Sequence, residues 1–119
     1  MSIAPVKIKI CGITNLEDAL ETAEAGADAL GFIFYPSSPR YIRPKEAERI
    51  AQQLPPFVLR VGVFVDDPLE GVQEVAEACG LGAVQLHGHE SVQFSRQFAL
   101  PVIKAFRLKQ DADLADLVH

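Results

Sequence analysis

The feature that most constrains the fold is an alternation that runs along the whole chain. Five short runs rich in β-branched and apolar residues are separated by segments with helical periodicity. The runs are Val6–Cys11, Ala29–Tyr35, Leu59–Asp66, Ala83–Gly88 and Val102–Arg107, and their starts lie 19 to 30 residues apart. This order, with no linker and no shift of composition, predicts an α/β fold of parallel (βα) repeats in which helices connect parallel strands.

Start and stop signals frame the segments between the runs. Thr14 and Asn15 are N-cap types, and Glu17 completes a capping box with Thr14. The second helix is expected to start at Pro44, the third after an Asp67 cap, the fourth after Ser91 and the fifth at Asp111. The apolar faces expected are Leu16, Ala19, Leu20, Ala23; Ala47, Ile50, Ala51, Leu54; Val72, Val75, Ala76, Cys79; Val92, Phe94, Phe98; and Leu114, Leu117, Val118.

Counting leaves two architectures open. Eight such units would need about 190 residues, near the lower bound for a closed (βα)8 barrel. The 119 residues supply five strands and about four and a half units, so residues 1–119 read as a partial barrel without a second domain. An open five-stranded sheet of the flavodoxin type is the alternative. A partial barrel would leave its first and fifth strands as bare edges, so we expect it to self-associate or to pair with a missing C-terminal half.

Strand parity predicts which side chains share a face, because successive side chains point to opposite sides of a strand. Apolar sets such as Val61, Val63 and Val65 are expected to face the helices. A mixed set is expected to face the barrel interior: Lys9, Arg60, Gln85, His87 and Lys104. Charge in an interior is costly unless it is paired, so this set favours a nearby functional site.

Composition excludes several classes of protein. The net charge of −5 makes nucleic acid and anionic membrane surfaces poor partners. No apolar run approaches the ~20 residues of a membrane helix, and no signal peptide is visible at the N-terminus. Two cysteines, neither in a Cys-x-x-Cys pair, do not make a disulfide framework. A reduced, cytoplasmic protein is therefore expected.

The candidate site lies where the strands end, because parallel α/β sheets place their sites there. Cys11 closes the first strand just before a helix, and Lys9 lies two residues back on the same face. A helix N-terminus and an ammonium group both favour the thiolate, although a small buried thiol is the alternative. Cys79, on an apolar helix face, is interpreted as core.

The loops after the second, third and fourth strands hold the other polar candidates. Arg40 ends a proline-stiffened loop and offers a planar fork for a carboxylate or phosphate, unless it is simply solvated. His87 should sit at the rim on the face of Gln85, and a hydrogen-bonding role suits it better than a metal site with His89 and Glu90. Asp66 and Asp67 could form an acid/base pair, but both suit helix capping. No metal is predicted.

Four ordered motifs together resemble the phosphoribosylanthranilate isomerase family of tryptophan biosynthesis. They are Lys7-Ile8-Lys9-Ile10-Cys11-Gly12-Ile13-Thr14; Gly26–Tyr35 with Ser38-Pro39-Arg40-Tyr41-Ile42; Val61-Gly62-Val63-Phe64-Val65; and Val84-Gln85-Leu86-His87-Gly88. The resemblance runs from about Val6 to Arg107 and implies the first part of the family's TIM barrel.

The resemblance implies a cofactor-free Amadori rearrangement of N-(5-phosphoribosyl)anthranilate, a small phosphorylated substrate. An acid protonates the ribose ring oxygen, and a base removes the C2 proton from the resulting iminium ion. By resemblance, Cys11 is the catalytic base, Arg40 holds the anthranilate carboxylate and His87 lines the substrate site.

The sequence lacks two features that the family resemblance leads one to expect. The family's general acid, an aspartate on the sixth strand, and its phosphate-binding loops after strands seven and eight have no counterpart here, and Asp111, Asp113 and Asp116 do not match the acid's motif. Two hypotheses follow. The chain is the N-terminal part of an isomerase and is inactive alone, or it is a non-catalytic half-barrel that self-associates.

Overall fold

The computed structural model describes residues 6–106, which form one parallel sheet whose strands alternate with helices. The strands are β1 (Lys9–Cys11), β2 (Ala29–Ile33), β3 (Leu59–Phe64), β4 (Ala83–Leu86) and β5 (Val102–Lys104); the helices are α1 (Leu16–Glu24), α2 (Pro44–Ala51), α3 (Leu69–Cys79) and α4 (Val92–Ser95). The sheet order β1-β2-β3-β4-β5 follows the chain, and every pair is parallel. The carboxyl ends of all five strands therefore meet at one edge of the sheet.

The main core lies between the sheet and the helices. Leu30 and Phe32 from β2, Phe64 from β3 and Leu86 from β4 are almost fully buried there. The predicted faces of α2 and α3 supply much of the other side, with Ala47, Ile50, Leu54, Val72, Ala76 and Cys79. Burying side chains of this size stabilises the fold by about 1.5–3 kcal/mol each.

The predicted facing of the strands is right for β1 and β4 and wrong for two other strands. In the sheet register, Lys9 lies beside Ala29 and Gln85 lies beside Val63. These side chains point away from the helices, to the face of the sheet that we call the concave face. Val61 lies on this face too, whereas Arg60 is paired with Leu30 on the helix side. The expectation that the Val61 set faces the helices was therefore wrong, because Gly62 and Phe64 supply that contact instead.

Arg60 and Lys104 were both wrongly predicted to point into the interior. The Arg60 guanidinium donates to the carbonyl oxygens of Ala51, Leu54 and Val58, and so closes the carboxyl end of α2. Lys104 is paired with Leu86, which places it on the helix side of β5. Each cation lies where carbonyl or carboxylate oxygens compensate its desolvation.

Three details of the helix predictions need correction. Asn15, not Thr14, caps α1, and its side chain accepts from the Asp18 N–H, so the expected box with Glu17 does not form. Pro68 rather than Asp67 occupies the N-cap of α3. Val92, expected to be buried, is 64% exposed because α4 is a single turn.

Both ends of the sheet carry exposed apolar side chains. Ile8 and Ile10 are 50% and 40% exposed at the β1 edge, and Ile103 and Phe106 are 40% and 54% exposed at the β5 edge. Within residues 6–106 no helix has the length and apolarity to cross a membrane. The predicted fifth helix from Asp111, with its apolar face and its aspartates, lies outside the described residues, as does Arg107.

Candidate functional site

A cleft of about 870 Å³ opens at the carboxyl edge of the sheet. The loop after β2 contributes Tyr35 and Ser37–Arg40, and the loops after β3 and β4 contribute Val65, Asp66 and His87–His89. Ile33 and Val63 form its floor, and Phe106 follows β5. This is where the sequence placed the candidate site, and it brings Arg40 and His87 together in one cavity.

Arg40 folds back from its loop onto the end of β1. Its Nη1 donates to the carbonyl oxygen of Cys11 at 3.2 Å. Gly12 makes this approach possible, because a Cβ there would lie 2.6 Å from Arg40 Cδ and Nη1. Gly12 also has a φ of +89°, a conformation that side-chain-bearing residues rarely adopt. The backbone of Cys11-Gly12 thus binds the Arg40 guanidinium, which comes from the loop after β2.

Cys11 lies partly exposed at the end of β1, beside the cleft rather than among the residues that line it. Its Sγ faces the backbone of β2, where a Cβ on Gly31 would come within 2.9 Å of it. The peptide of Gly31 accepts from the N–H groups of both Gly12 and Ile13. Cys79, in contrast, is buried among core residues, as predicted.

His87 directly follows β4, and its side chain is exposed in the cleft. Its backbone N–H donates to the Phe64 carbonyl oxygen at 2.9 Å, which extends the sheet pairing by one residue. Tyr35 is 38% exposed and lines the cleft, whereas Phe34 is buried and stacks on Phe64.

A partly buried ion pair lies next to His87, and the sequence reasoning missed it. Lys104 Nζ lies 2.8 Å from Glu90 Oε1, and the Glu90 side chain is only 3% exposed. The same carboxylate accepts from the N–H groups of Gly88 and Asp66 at 2.9 and 2.8 Å. The Glu90 in His87-Gly88-His89-Glu90 was visible in the sequence, but only the fold reveals its partner on β5.

The pKa of Glu90 and that of the neighbouring Asp67 are shifted in opposite directions. Burial by itself raises the pKa of Glu90, but the Lys104 ammonium and the N–H groups of Asp66 and Gly88 together hold it below its ordinary value. Burial raises the pKa of Asp67, and the nearby carboxylates of Glu90 and Asp66 raise it further. Asp66 does not cap a helix as expected; its Oδ1 accepts from the His89 N–H at 2.6 Å.

A second polar contact spans the concave face. Lys9 Nζ on β1 donates to Gln85 Oε1 on β4, across the two strands that lie between them. Among residues 6–106, no three side chains of the kinds that bind metals come together. Glu90, the only carboxylate that the sequence offered to His87 and His89 for this purpose, is held by Lys104 and two amides.

Comparison with known proteins identifies the family. The model of the N-(5'-phosphoribosyl)anthranilate (PRA) isomerase family matches residues 8–119. The N-(5'-phosphoribosyl)anthranilate isomerase of Geobacter sp. (strain M21) is 56% identical over 111 residues, which are 93% of this chain and 54% of that protein.

Two solved structures are also similar. One is a phosphoribosyl anthranilate isomerase in complex with reduced 1-(o-carboxyphenylamino)-1-deoxyribulose 5-phosphate. It matches with a TM-score of 0.92 and 52% sequence identity, and the match covers 96% of this chain and 60% of that chain. The other shows mutually generated monomers of the dimeric enzyme of Thermotoga maritima, with a TM-score of 0.90, 47% identity and coverage of 96% and 60%.

These likenesses confirm the predicted fold class, parallel (βα) units of a TIM barrel, rather than an open flavodoxin-like sheet. The chain spans about half the length of the curated relatives that it matches. A family model that covers nearly all of the sequence and relatives that are more than half identical leave one conclusion: the chain belongs to the N-(5'-phosphoribosyl)anthranilate isomerase family.

Proposed function

We propose that this chain supplies the base and the anthranilate-binding part of an N-(5'-phosphoribosyl)anthranilate isomerase, which acts in tryptophan biosynthesis without a cofactor. The observation that carries the proposal is the contact between Arg40 and the Cys11 carbonyl, which joins a cation, a thiol-bearing residue and the cleft. A similar protein has been crystallised with a reduced carboxyphenylamino-deoxyribulose phosphate, a ligand with the same aromatic carboxylate.

Each residue has a distinct role in the proposal. The Arg40 guanidinium pairs with the anthranilate carboxylate, for which its planar fork is suited. Cys11 accepts the C2 proton of the iminium intermediate, and the electrons of the broken C–H bond form the enol that becomes the product ketone. His87 lines the same cleft and hydrogen-bonds the substrate.

The reaction also needs groups that we assign to no residue of this chain. An acid must protonate the ribose ring oxygen as the C1–O bond breaks, and a site must hold the phosphate. Loss of an acid typically costs ~10²–10⁴ in rate, and loss of phosphate binding adds to this. We therefore propose that the 119-residue chain alone is inactive and that the activity belongs to a complete protein containing it.

The test compares the isolated chain with a complete protein that includes it or with the chain complemented by a C-terminal half. We expect turnover only in the latter two, and comparable turnover by the isolated chain would refute the need for a missing acid. In the complete protein, Cys11→Ala should lower kcat by at least ~10². Cys79→Ala, which removes the buried thiol, is the matched control and should leave kcat unchanged. An unchanged rate in Cys11→Ala would remove the assignment of the base.

The second candidate, a non-catalytic half-barrel that self-associates, rests on the exposed sheet edges. Ile8 and Ile10 at β1 and Ile103 and Phe106 at β5 leave apolar surface and unpaired backbone groups at both ends. Sedimentation of the chain should show a concentration-dependent dimer or larger species. A folded monomer at all concentrations would exclude this candidate without affecting the first. Two further predictions are retained. Residues 1–119 form one partial barrel with no second domain, and the protein is cytoplasmic.

A further inference from the structure

We propose that Glu90 and Lys104 are positioning residues, which fix the backbone on the C-terminal side of His87 and thereby hold its imidazole in the cleft. The inference rests on the proposed function for the role of His87, and it adds two residues to which the family resemblance gave no role. Neither side chain needs to touch substrate.

Gly88 is held by both of its backbone groups. Glu90 Oε1 accepts from the Gly88 N–H at 2.9 Å, and Lys104 Nζ donates to the Gly88 carbonyl oxygen at 2.6 Å. The ion pair of 2.8 Å between Glu90 and Lys104 closes the arrangement. On the other side of His87, its own N–H is held by the Phe64 carbonyl oxygen. The backbone is therefore fixed on both sides of the histidine.

The second carboxylate oxygen of Glu90 extends the arrangement to the neighbouring loop. Glu90 Oε2 accepts from the Asp66 N–H at 2.8 Å, and Asp66 Oδ1 accepts from the His89 N–H. Asp66 has a φ of +52°, a left-handed conformation that is uncommon outside glycine, and its carboxylate lies against Gly88, where a Cβ would come within 2.6 Å. The loops after β3 and β4 thus form one unit centred on Glu90.

Burial argues that this pair contributes geometry more than stability. The Glu90 side chain is 3% exposed and that of Lys104 25% exposed, so both charges lose much of their hydration. Ion pairs of this kind often stabilise a fold no better than apolar residues of similar volume. They do prescribe where their partners lie, and here the partners are the backbone groups next to His87. The lowered pKa of Glu90 agrees with a carboxylate that is ionised in place.

The experiment uses Glu90→Gln, Lys104→Met and the double variant, with Glu77→Gln on the exposed side of α3 as the matched control. In the isolated chain, the NMR signal of the His87 ring reports its surroundings. In a complete protein that contains the chain, KM and kcat are measured separately. Circular dichroism verifies folding, and Lys104→Met replaces Glu90→Gln if the latter does not fold.

We expect each single variant to shift the His87 ring signal and to raise KM by roughly tenfold with a smaller change in kcat. The double variant should be no worse than either single one, because the two residues act as a unit. Glu77→Gln should change neither quantity. An unmoved His87 signal, or a loss of thermal stability with unchanged KM, would overturn the positioning role.

The outcome is separable from that of the proposed function. If His87→Ala leaves KM unchanged, the assignment of His87 to the substrate site fails, whatever Glu90 does. If His87→Ala raises KM but Glu90→Gln and Lys104→Met do not, only the positioning role fails.

Discussion

The side chain of Arg40 occupies the space that a side chain on Gly12 would need. A Cβ at position 12 would lie 2.6 Å from both Cδ and Nη1 of the arginine, and the φ of +89° at Gly12 already disfavours any other residue. The pairing explains why a glycine directly follows Cys11: the backbone must be bare for the guanidinium to reach the Cys11 carbonyl.

Gly12→Ala should therefore displace Arg40. Gly26→Ala is the matched control, because Gly26 has a φ of +105° but no atom within 4 Å of a Cβ built there. In both variants the free energy of unfolding, measured with urea, should fall by about 1–2 kcal/mol, because a side chain at these positions must adopt a left-handed conformation. Only Gly12→Ala should also raise KM of the complete protein, by roughly tenfold for about 1.4 kcal/mol of lost binding. Equal KM values in the two variants would contradict the proposal that the position of Arg40 against Gly12 contributes to substrate binding.

Arg60 should be a stability residue rather than a site residue. Its guanidinium satisfies carbonyl oxygens at the end of α2, including those of Ala51 and Leu54. Arg60→Met should destabilise the chain by about 2–3 kcal/mol, because charged hydrogen bonds are lost and carbonyl groups are left without partners. Arg49→Met, on the exposed side of the same helix, should cost less than about 1 kcal/mol. Urea unfolding measures both, and equal losses would refute the assignment.

The two thiols should react at very different rates. Burial, with a contribution from Glu48, raises the pKa of Cys79 to about 11, so at pH 8 only about one thiol in 10³ is ionised there. Cys11 is partly exposed. An aromatic disulfide reagent should modify one thiol quickly and the second only on unfolding. Cys11→Ser should remove the fast phase and Cys79→Ser should leave it; a fast phase that survives in Cys11→Ser would be the contrary result.

Acid should weaken the fold partly through Glu90. The pKa of Glu90 in the folded chain lies below its ordinary value of 4.5, so the folded state favours the ionised carboxylate. Its contribution to stability is therefore complete above about pH 4.5 and is lost as the pH falls through the folded pKa. Glu90→Gln should flatten this part of the stability curve measured by urea unfolding.

Asp67 provides the contrast, because its pKa is raised and the folded state favours its protonated form. Its charge opposes folding at neutral pH, and this penalty disappears as the pH falls through its folded pKa. Asp67→Asn should stabilise the chain at pH 7 by up to about 0.5 kcal/mol. A loss of stability there would show that Asp67 makes a contact that outweighs the repulsion from Glu90 and Asp66.

The parts of the fold that depend on local pattern were predictable. Four of the five strands start where the apolar runs start, because β-branched clusters between helix signals specify strands directly. α2 starts at Pro44 and buries the predicted Ala47 and Ile50, since its apolar spacing matches the helical period. The location of Arg40 and His87 in one cleft also followed from the rule that loops after parallel strands converge.

What failed depends on contacts between distant parts of the chain. Parity shows which side chains of a strand share a face, but not which face meets the helices, so Arg60 and Lys104 were assigned to the wrong side. The link from Glu90 to Lys104 crosses from one strand end to the next strand and has no local signal. Asp67 has the residue type of a helix cap, yet Pro68 takes the position. The roles of Cys11, Arg40 and His87 stay predictions.

The sheet order has a consequence for how such a molecule can be divided and assembled. Each strand from β2 to β5 pairs with the strand that precedes it along the chain. A cut at any connecting loop therefore separates only one pair of partners and leaves the pairing on either side intact. The pairing pattern is therefore modular: any run of two or more consecutive (βα) units contains all the strand pairs between its own members.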